Sequence, residues 1–277
     1  KACPQPVKTE GIVRNPGPQD EDCLYLTIWT SASDNEERRP VMFWIHGGGF
    51  TQGSGSQPYY DGEYLASVGY IVVTINYRLG PFGFFAHPAL SKESPHGTSG
   101  NYGLLDMIYA LEWVKRNITK FGGDPANVTI FGESAGASAV TCLLVSPLAR
   151  DLFHRAISQS GTNLFLKQRT KETATGPRGN TIEPLEKTGL ELQKKWGIED
   201  GEGALAAMRA LGARELLDKA DPVVGILQRG LKFGPVIDGR VITEEPIKTF
   251  ERGGQAPVPL MIRSEERRVG KECRSRW

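Results

Sequence analysis

Ser134 is the residue whose type and surroundings point most directly to covalent chemistry. It lies in Gly132-Glu133-Ser134-Ala135-Gly136, between a β-type run and an apolar helical stretch. A serine on a tight strand-to-helix turn needs small neighbours, because the backbone folds back on itself there. The N-terminus of the following helix also favours negative charge beside the serine. The pattern predicts a nucleophile; its chance occurrence in a glycine-rich turn is the alternative.

A second glycine-rich segment begins 88 residues before this serine, at His46-Gly47-Gly48-Gly49-Phe50. Three consecutive glycines after a strand cost chain entropy, which indicates a backbone that must approach another group closely. In an ester hydrolase that group is the carbonyl oxygen, whose negative charge is stabilised by backbone N–H groups. A linker or a phosphate-binding loop is the alternative, but the glycine motifs of nucleotide sites are missing. We expect His46 to order this loop rather than to act as a base.

The order of elements predicts an α/β fold, because strand-like and helix-like segments alternate. Short apolar or β-branched runs, typical of buried strands, are Leu24–Thr30, Val41–Ile45, Ile71–Ile75, Val128–Phe131, Ala156–Ser158 and Val258–Ile262. Helices are predicted where apolar residues recur at steps of three and four, from Leu104 to Ile118, and in Ala135–Val145. Phe233–Ile242 predicts a hairpin with Asp238-Gly239 at its turn.

From residue 170 to residue 221 the chain becomes polar, and we expect an inserted helical segment there. Its helical stretches are centred on Leu185–Trp196, Ala204–Leu211 and Arg214–Ala220.

The composition argues against several classes of function. A net charge of +1 over 277 residues gives no electrostatic reason to expect nucleic-acid binding. No apolar run approaches the roughly 18 residues needed for a membrane span. No motif for a metal or an organic cofactor is present, so we expect neither. The sequence does not indicate an oligomeric state.

Cys3 and Cys23 bracket a loop rich in proline and glycine that packing alone would not hold. A disulfide closing such a loop would stabilise the fold by roughly 3 kcal/mol; two free thiols are the alternative. A disulfide would indicate an oxidising compartment, so that a secreted or periplasmic location is expected. Cys142 lies in the apolar run Val140–Val145, and we expect it to be a buried hydrophobic residue.

Several motifs, in order along the chain, resemble the type-B carboxylesterase/cholinesterase family. They are Glu21–Leu26 (EDCLYL), the HGGGF loop at residues 46–50, Asn76–Arg78 (NYR), Gly100–Asp106 (GNYGLLD), Phe121–Pro125 (FGGDP), Phe131–Gly136 (FGESAG) and Arg155–Gly161 (RAISQSG). The resemblance implies an α/β-hydrolase fold, a mostly parallel sheet flanked by helices.

The resemblance also implies roles for individual residues. Ser134 would be the nucleophile, and Gly48, Gly49 and Ala135 would donate hydrogen bonds to the oxyanion. Glu133 would be a buried carboxylate beside the site, supporting it together with His46. A disulfide would join Cys3 and Cys23.

The substrate class implied is a small carboxylic ester. Residues 4–22 contain no aromatic side chain, so a cage for a quaternary ammonium group is not supported. A carboxylesterase similar to bacterial p-nitrobenzyl esterases is therefore the better interpretation, with Leu164 and Phe165 as candidates to line an acyl pocket. The alternative is a non-catalytic adhesion or binding module of the cholinesterase-like type, although such relatives typically lose the serine or its glycines. Lyases and epoxide hydrolases of this fold generally carry Asp at the nucleophile position.

The catalytic acid and base are expected after the nucleophile, in the order Ser, Asp or Glu, His. His154 is the one histidine that follows Ser134, and we expect it to be structural. The 15 residues from Arg263 to Trp277 (RSEERRVGKECRSRW) match an in-frame translation of a common sequencing adapter. We therefore expect a partial hydrolase domain over 1–262, truncated at both ends, with the helical insertion at about 170–221 and a non-native tail over 263–277. Such a fragment would be inactive by itself.

Overall fold

The computed structural model describes residues 1–7, 16–176, 179–222 and 233–263. The strands are β1 (Leu26–Trp29), β2 (Arg39–Ile45), β3 (Ile71–Ile75), β4 (Gly123–Glu133), β5 (Arg155–Gln159), β6 (Ala174–Thr175), β7 (Thr181–Ile182) and β8 (Leu260–Arg263). Within the described ranges, six of them form the main sheet in the order β1-β3-β2-β4-β5-β8. Strand β1 runs antiparallel to β3, and the other neighbours in this sheet are parallel.

Helices connect and cover these strands. They are α1 (Glu63–Ser67), α2 (Gly80–Phe84), α3 (Pro88–Glu93), α4 (Tyr102–Asn117), α5 (Ala135–Val145), α6 (Leu185–Lys195), α7 (Ala204–Ala210), α8 (Ala213–Ala220) and α9 (Pro246–Glu251). The predicted α/β class is confirmed, as are the strands, the two long helices and the three helices of the polar segment.

The sheet forms the core because its central strands carry apolar side chains on both faces. Every residue of β3 is buried, as are Phe43 and Ile45 of β2. Helix α4 buries the face that carries Leu104, Leu111 and Val114, and α5 is buried along almost its whole length. A strand that is covered on both faces has a continuous run of apolar residues, and for this reason these strands could be predicted from the sequence.

The register of the parallel strands determines where the loops after them lie. Ile45 at the end of β2 pairs with Gly132 of β4, and Glu133 pairs with Gln159 at the end of β5. The residues that follow these strands therefore leave the sheet at one edge. That edge gathers the loop after β2, the turn after β4 and the segment after β5.

The inserted helices pack on helices α2 and α3. Arg209 of α7 forms a two-pronged ion pair with Glu93 of α3, with nitrogen–oxygen distances of 2.6 and 2.7 Å. Because this pair is exposed to solvent, it contributes little to the free energy of folding.

The predicted hairpin over Phe233–Ile242 is wrong. Ile237 instead forms an isolated parallel bridge with Arg169. The carboxylate of Asp238 accepts hydrogen bonds from the backbone N–H groups of residues 240, 241 and 242, at 2.8–3.0 Å. Because one carboxylate accepts hydrogen bonds from three consecutive N–H groups, this segment closes into a compact loop. The two arms of the predicted hairpin therefore do not pair as strands.

The structure joins Cys3 and Cys23 by a disulfide, whose Cα atoms are 4.8 Å apart. Cys142 is free and buried, as expected, and burial raises the pKa of its thiol to about 12. Among the described residues, no helix combines the length and the apolar character that crossing a membrane would require.

Because the sheet is buried, substituting alanine for either of two isoleucines should change the free energy of unfolding by very different amounts. Ile130 in β4 is fully buried, whereas Ile262 in β8 is 65% exposed. We expect Ile130→Ala to lower the free energy of unfolding by about 2–5 kcal/mol, because it leaves a cavity in the core. The matched Ile262→Ala change should cost less than about 1 kcal/mol. Denaturant unfolding measures both values, and equal losses would contradict this position of the core.

Candidate active site

Ser134 occupies the turn between β4 and α5 in a strained backbone conformation. Its φ of 55° and ψ of −117° lie outside the regions that a residue with a side chain normally adopts. The Ser134 N–H donates to the carbonyl of Gln159 at 2.9 Å, and the Ser134 carbonyl accepts from Ser138 N–H at 3.0 Å. The surrounding strand and helix thus hold the serine at the sheet edge, partly exposed. Such strain is typical of a nucleophile turn.

The glycines of this turn are required by close backbone contacts. A Cβ on Gly132 would lie 2.8 Å from the Ile45 carbonyl oxygen, and a Cβ on Gly136 would overlap the same oxygen. The carbonyl of Ser134 would likewise be overlapped by a Cβ on Gly161. Gly161 belongs to a motif quoted from the sequence, but no role could be given to it before the fold brought it to the turn.

The glycine loop after β2 packs directly on the nucleophile turn. A Cβ on Gly47 would lie 2.8 Å from the Glu133 carbonyl oxygen and 3.3 Å from Ser134 Cβ. The next residues take left-handed backbone conformations, with φ of 107° at Gly48 and 66° at Gly49. The Gly48 carbonyl then accepts hydrogen bonds from the N–H groups of residues 51 and 52, at 3.2 and 3.1 Å. These bonds give the loop a defined turn.

The structure brings the candidate oxyanion donors to one edge of the sheet. Ala135 is the first residue of α5, where backbone N–H groups have no partner within the helix. Gly48 is partly exposed and Gly49 is exposed. A Cβ added at Gly47 would reach both Glu133 and Ser134, so the glycine loop and the nucleophile turn lie side by side.

His46 lies beneath the glycine loop and is fully buried. Its Nδ1 is 2.8 Å from the Gly47 carbonyl oxygen, and its ring stacks on Tyr77 at 4.3 Å between centroids. The Tyr77 hydroxyl donates to the His46 carbonyl at 2.8 Å. Burial outweighs the bond to Gly47 and lowers the pKa of His46 to about 4. A neutral imidazole can donate to this loop carbonyl; that His46 orders the loop stays a prediction.

The expectation that Glu133 is a buried carboxylate is wrong. Glu133 is exposed, because it is the last residue of β4 and lies at the carboxyl end of the strand, where no other described element covers it. Its charge still acts within the site, since it contributes to the raised pKa of Tyr60 after burial and the neighbouring Tyr59. Tyr60 in turn packs its ring on Trp44, at 5.0 Å.

His154 lies at the opposite end of the sheet from Ser134. Its backbone N–H donates to the Val128 carbonyl at 2.8 Å, and its Nδ1 accepts from Val128 N–H at 3.2 Å. His154 therefore joins the residue before β5 to the middle of β4. These contacts are structural, in keeping with the role expected for His154 from the sequence. His87 caps α3 and His96 lies on an exposed loop. No hydrogen bond of the described residues joins any histidine to the Ser134 hydroxyl.

A cavity of about 400 Å³ opens beyond Gly161. Its walls combine apolar side chains with a hydroxyl, two amides and a lysine: Thr162, Asn163, Phe165, Leu166, Lys167, Gln168 and Ile182. Phe165 lines this cavity and Leu164 does not; that either residue lines an acyl pocket stays a prediction. In the part of the chain that the structure describes, no cluster of three or more His, Cys, Asp or Glu side chains could hold a metal ion.

The buried His46 predicts that the fold loses stability in acid. Its folded pKa of about 4 lies below the ordinary value of 6.5, so the unfolded chain binds the proton first as pH falls. The free energy of unfolding therefore falls as the pH is lowered from about 6.5 to about 4, by at most about 1.4 kcal/mol per pH unit. We expect His46→Gln to reduce the pH dependence of unfolding over this range, measured with denaturant. His96→Gln, at an exposed position, should leave it unchanged; an unaltered pH dependence in His46→Gln would contradict the interpretation.

The contact between Gly47 and the nucleophile turn predicts a second effect on stability. We expect Gly47→Ala to lower the free energy of unfolding by about 1–3 kcal/mol, because the new methyl group must displace Glu133 or Ser134. Gly234→Ala is the matched control, since its Cβ would make an ordinary contact of 3.6 Å with Phe50. Denaturant unfolding compares the two, and a neutral Gly47→Ala would show that the loop does not touch the turn.

Comparison with known proteins agrees with this geometry. The family model for the carboxylesterase family matches residues 1–270. The chain is 45% identical over 245 residues to a fumonisin B1 esterase of Sphingopyxis macrogoltabida, covering 87% of this chain and 42% of that protein. It is 41% identical to a para-nitrobenzyl esterase of Bacillus subtilis, covering 94% of this chain and 50% of that protein. The chain thus spans about half the length of these curated relatives.

The fold is similar to that of solved carboxylesterases. The crystal structure of carboxylesterase EST55 from Geobacillus stearothermophilus superposes with a TM-score of 0.74 at 41% identity, covering 91% of this chain and 49% of that one. The mostly parallel sheet with flanking helices is accordingly an α/β-hydrolase fold. The chain belongs to the carboxylesterase family.

Proposed function

We propose that the protein containing this chain is a serine hydrolase that cleaves small carboxylic esters through an acyl-serine intermediate. The observation that carries the proposal is the arrangement at the sheet edge. Ser134 is held with a φ of 55° at the start of α5, and the glycine loop lies so close that a Cβ on Gly47 would be 3.3 Å from Ser134 Cβ. A strained serine beside a helix N-terminus and a glycine loop provides a nucleophile together with backbone donors for an oxyanion.

The proposed reaction uses these groups in order. Ser134 Oγ attacks the ester carbonyl carbon, and its proton passes to a general base. The carbonyl oxygen becomes an oxyanion, which the N–H groups of Gly48, Gly49 and Ala135 stabilise. Each such donor contributes on the order of 3 kcal/mol to the transition state. The tetrahedral intermediate collapses, the alcohol leaves with a proton from the base, and water later releases the acid from Ser134 in the same way.

The base and the acid that orients it are proposed to come from a part of the protein that this chain does not contain. The four histidines of the chain have other positions: His46 is neutral beneath the loop, and His154, just before β5, is hydrogen-bonded to Val128 of β4. His87 and His96 lie at and beyond α3. The chain alone would then react with activated reagents and turn over esters very slowly, because only the oxyanion donors and substrate binding remain.

We propose a general ester as substrate rather than a choline ester. The support is twofold: residues 4–22 supply no aromatic ring for a cationic group, and the cavity beyond Gly161 has both apolar and amide walls. Phe165 and Leu166 would contact an alkyl or aryl group of the substrate. Lys167, on the same wall, is ion-paired with Glu245 and is not proposed to bind substrate.

The cellular location proposed is secreted or periplasmic. The disulfide between Cys3 and Cys23 supports it, because such bonds persist in oxidising compartments.

We also propose a domain organisation for the chain. One hydrolase domain would run over residues 1–262, with an insertion at about 170–221 that corresponds to α6, α7 and α8. The proposed non-native tail begins at Arg263, which still pairs with Gln159 as the end of β8. Residues 264–277 lie outside the described residues.

Covalent labelling tests the nucleophile. We expect a fluorophosphonate probe to modify the complete gene product at Ser134, identified by mass spectrometry, and Ser134→Ala to abolish the labelling. Ser138→Ala is the matched control, because Ser138 lies one turn further along α5, and it should keep full labelling. Labelling that persists in Ser134→Ala would refute the assignment.

Turnover of short p-nitrophenyl esters separates the remaining alternatives. The complete gene product should hydrolyse them, and the chain of residues 1–277 alone should be slower by at least about 10⁴-fold. Labelling at Ser134 without turnover by the complete product would instead favour a non-catalytic binding module.

A further inference from the structure

Gln5 uses every polar group of its side chain in a buried contact far from Ser134 in sequence. Its Oε1 accepts a hydrogen bond from Gly53 N–H at 2.8 Å, and its Nε2 donates to the Gly53 carbonyl at 2.9 Å. The same Nε2 donates to the Cys3 carbonyl at 3.0 Å. The residue is only 1% exposed. The amide thus binds Gly53 on both sides, as a neighbouring strand would.

Gly53 transmits this contact to the glycine loop. It has a φ of 121°, and a Cβ at this position would overlap the His46 ring and lie 2.8 Å from the Gly47 carbonyl oxygen. His46 Nδ1 is hydrogen-bonded to that same carbonyl, at 2.8 Å. Gly53 also directly follows the turn that the Gly48 carbonyl closes with residues 51 and 52. A shift of Gly53 would therefore move the glycine loop that packs on the nucleophile turn.

We infer that Gln5 is a positioning residue for ester hydrolysis, which fixes the orientation of the Gly48 and Gly49 N–H groups through Gly53 and His46. The inference rests on the proposed function, since it concerns the same oxyanion site. It assigns to the loop closed by Cys3 and Cys23 a role in transition-state stabilisation in addition to stability. Gln5 itself does not touch the substrate.

Gln19 provides the means to separate positioning from stability. Its Oε1 accepts a hydrogen bond from the Gln5 backbone N–H at 2.8 Å, within the same disulfide-closed loop. Gln19 makes no hydrogen bond to Gly53 among the described residues. Removing the Gln19 side-chain contact weakens the loop without removing the amide that binds Gly53.

The experiment compares Gln5→Met, Gln5→Glu and Gln19→Met in the complete gene product. Gln5→Met keeps the length of the side chain and removes its hydrogen bonds; Gln5→Glu keeps the acceptor and removes the donor. Active-site titration with a fluorophosphonate counts the correctly folded molecules, so that kcat is given per reactive Ser134. Both Gln5 variants should lower kcat by about tenfold or more with KM within about threefold, because misaligned oxyanion donors act on the transition state.

An aryl trifluoromethyl ketone supplies a readout that loop stability alone would not change. Ser134 adds to this ketone and forms a hemiketal whose oxyanion uses the same donors. Its inhibition constant should rise in the Gln5 variants by the factor by which kcat/KM falls, and Gln19→Met should leave both within about twofold of wild type. Unchanged kcat and inhibitor affinity in both Gln5 variants, or equal losses in Gln19→Met, would overturn the inference. A wild-type protein without hydrolysis would overturn the proposed function, and this inference with it.

Discussion

Close contact between backbone segments at the carboxyl edge of the sheet is the constraint on which this structure depends. Three segments meet there: the end of β2, the turn after β4 and the segment after β5. They approach so closely that there is no room for a side chain at Gly132, Gly136 or Gly161. Gly47 adds the loop to the same contact. Packing at this density lets a strained serine persist, because the neighbouring backbones over-determine its conformation.

The strain at Ser134 is maintained by regular structure on both sides. Its N–H is bound by β5 and its carbonyl by the first turn of α5, so relaxing the serine would break hydrogen bonds of both elements. His46 packs beneath the glycine loop, where its neutral ring fills the space between Tyr77 and the loop. Burial removes water from the imidazole, and among the described residues no carboxylate is hydrogen-bonded to it, so its pKa is lowered. The electrostatics of the site thus follow from its packing.

Much of this arrangement could be predicted from sequence because the decisive signals are local. Buried parallel strands such as β3 are continuous apolar runs, and α5 was predicted with its observed bounds, since Ser134 and Pro147 delimit it. Helices α1, α2, α3 and α9 were not predicted, because five or six residues carry too little periodicity.

What could not be predicted depends on contacts distant in sequence. The hairpin signal at Asp238-Gly239 was overridden by the Asp238 carboxylate, and the exposure of Glu133 depends on what covers the sheet edge. Gln5 and Gly53 are 48 residues apart, and no periodic pattern in the sequence indicates that they are in contact. Strand register and tertiary packing, rather than local propensity, decide such cases.

Strand β8 has a consequence for handling the protein. Among the described residues it pairs with β5 alone, and it exposes Met261 and Ile262 at 64% and 65%. An apolar strand with an open hydrogen-bonding edge is a template for pairing with another chain. We expect preparations of this chain to associate in a concentration-dependent manner, through edge-to-edge contacts unrelated to the serine turn. Dilute handling, or a lysine introduced at position 262, would favour the monomer.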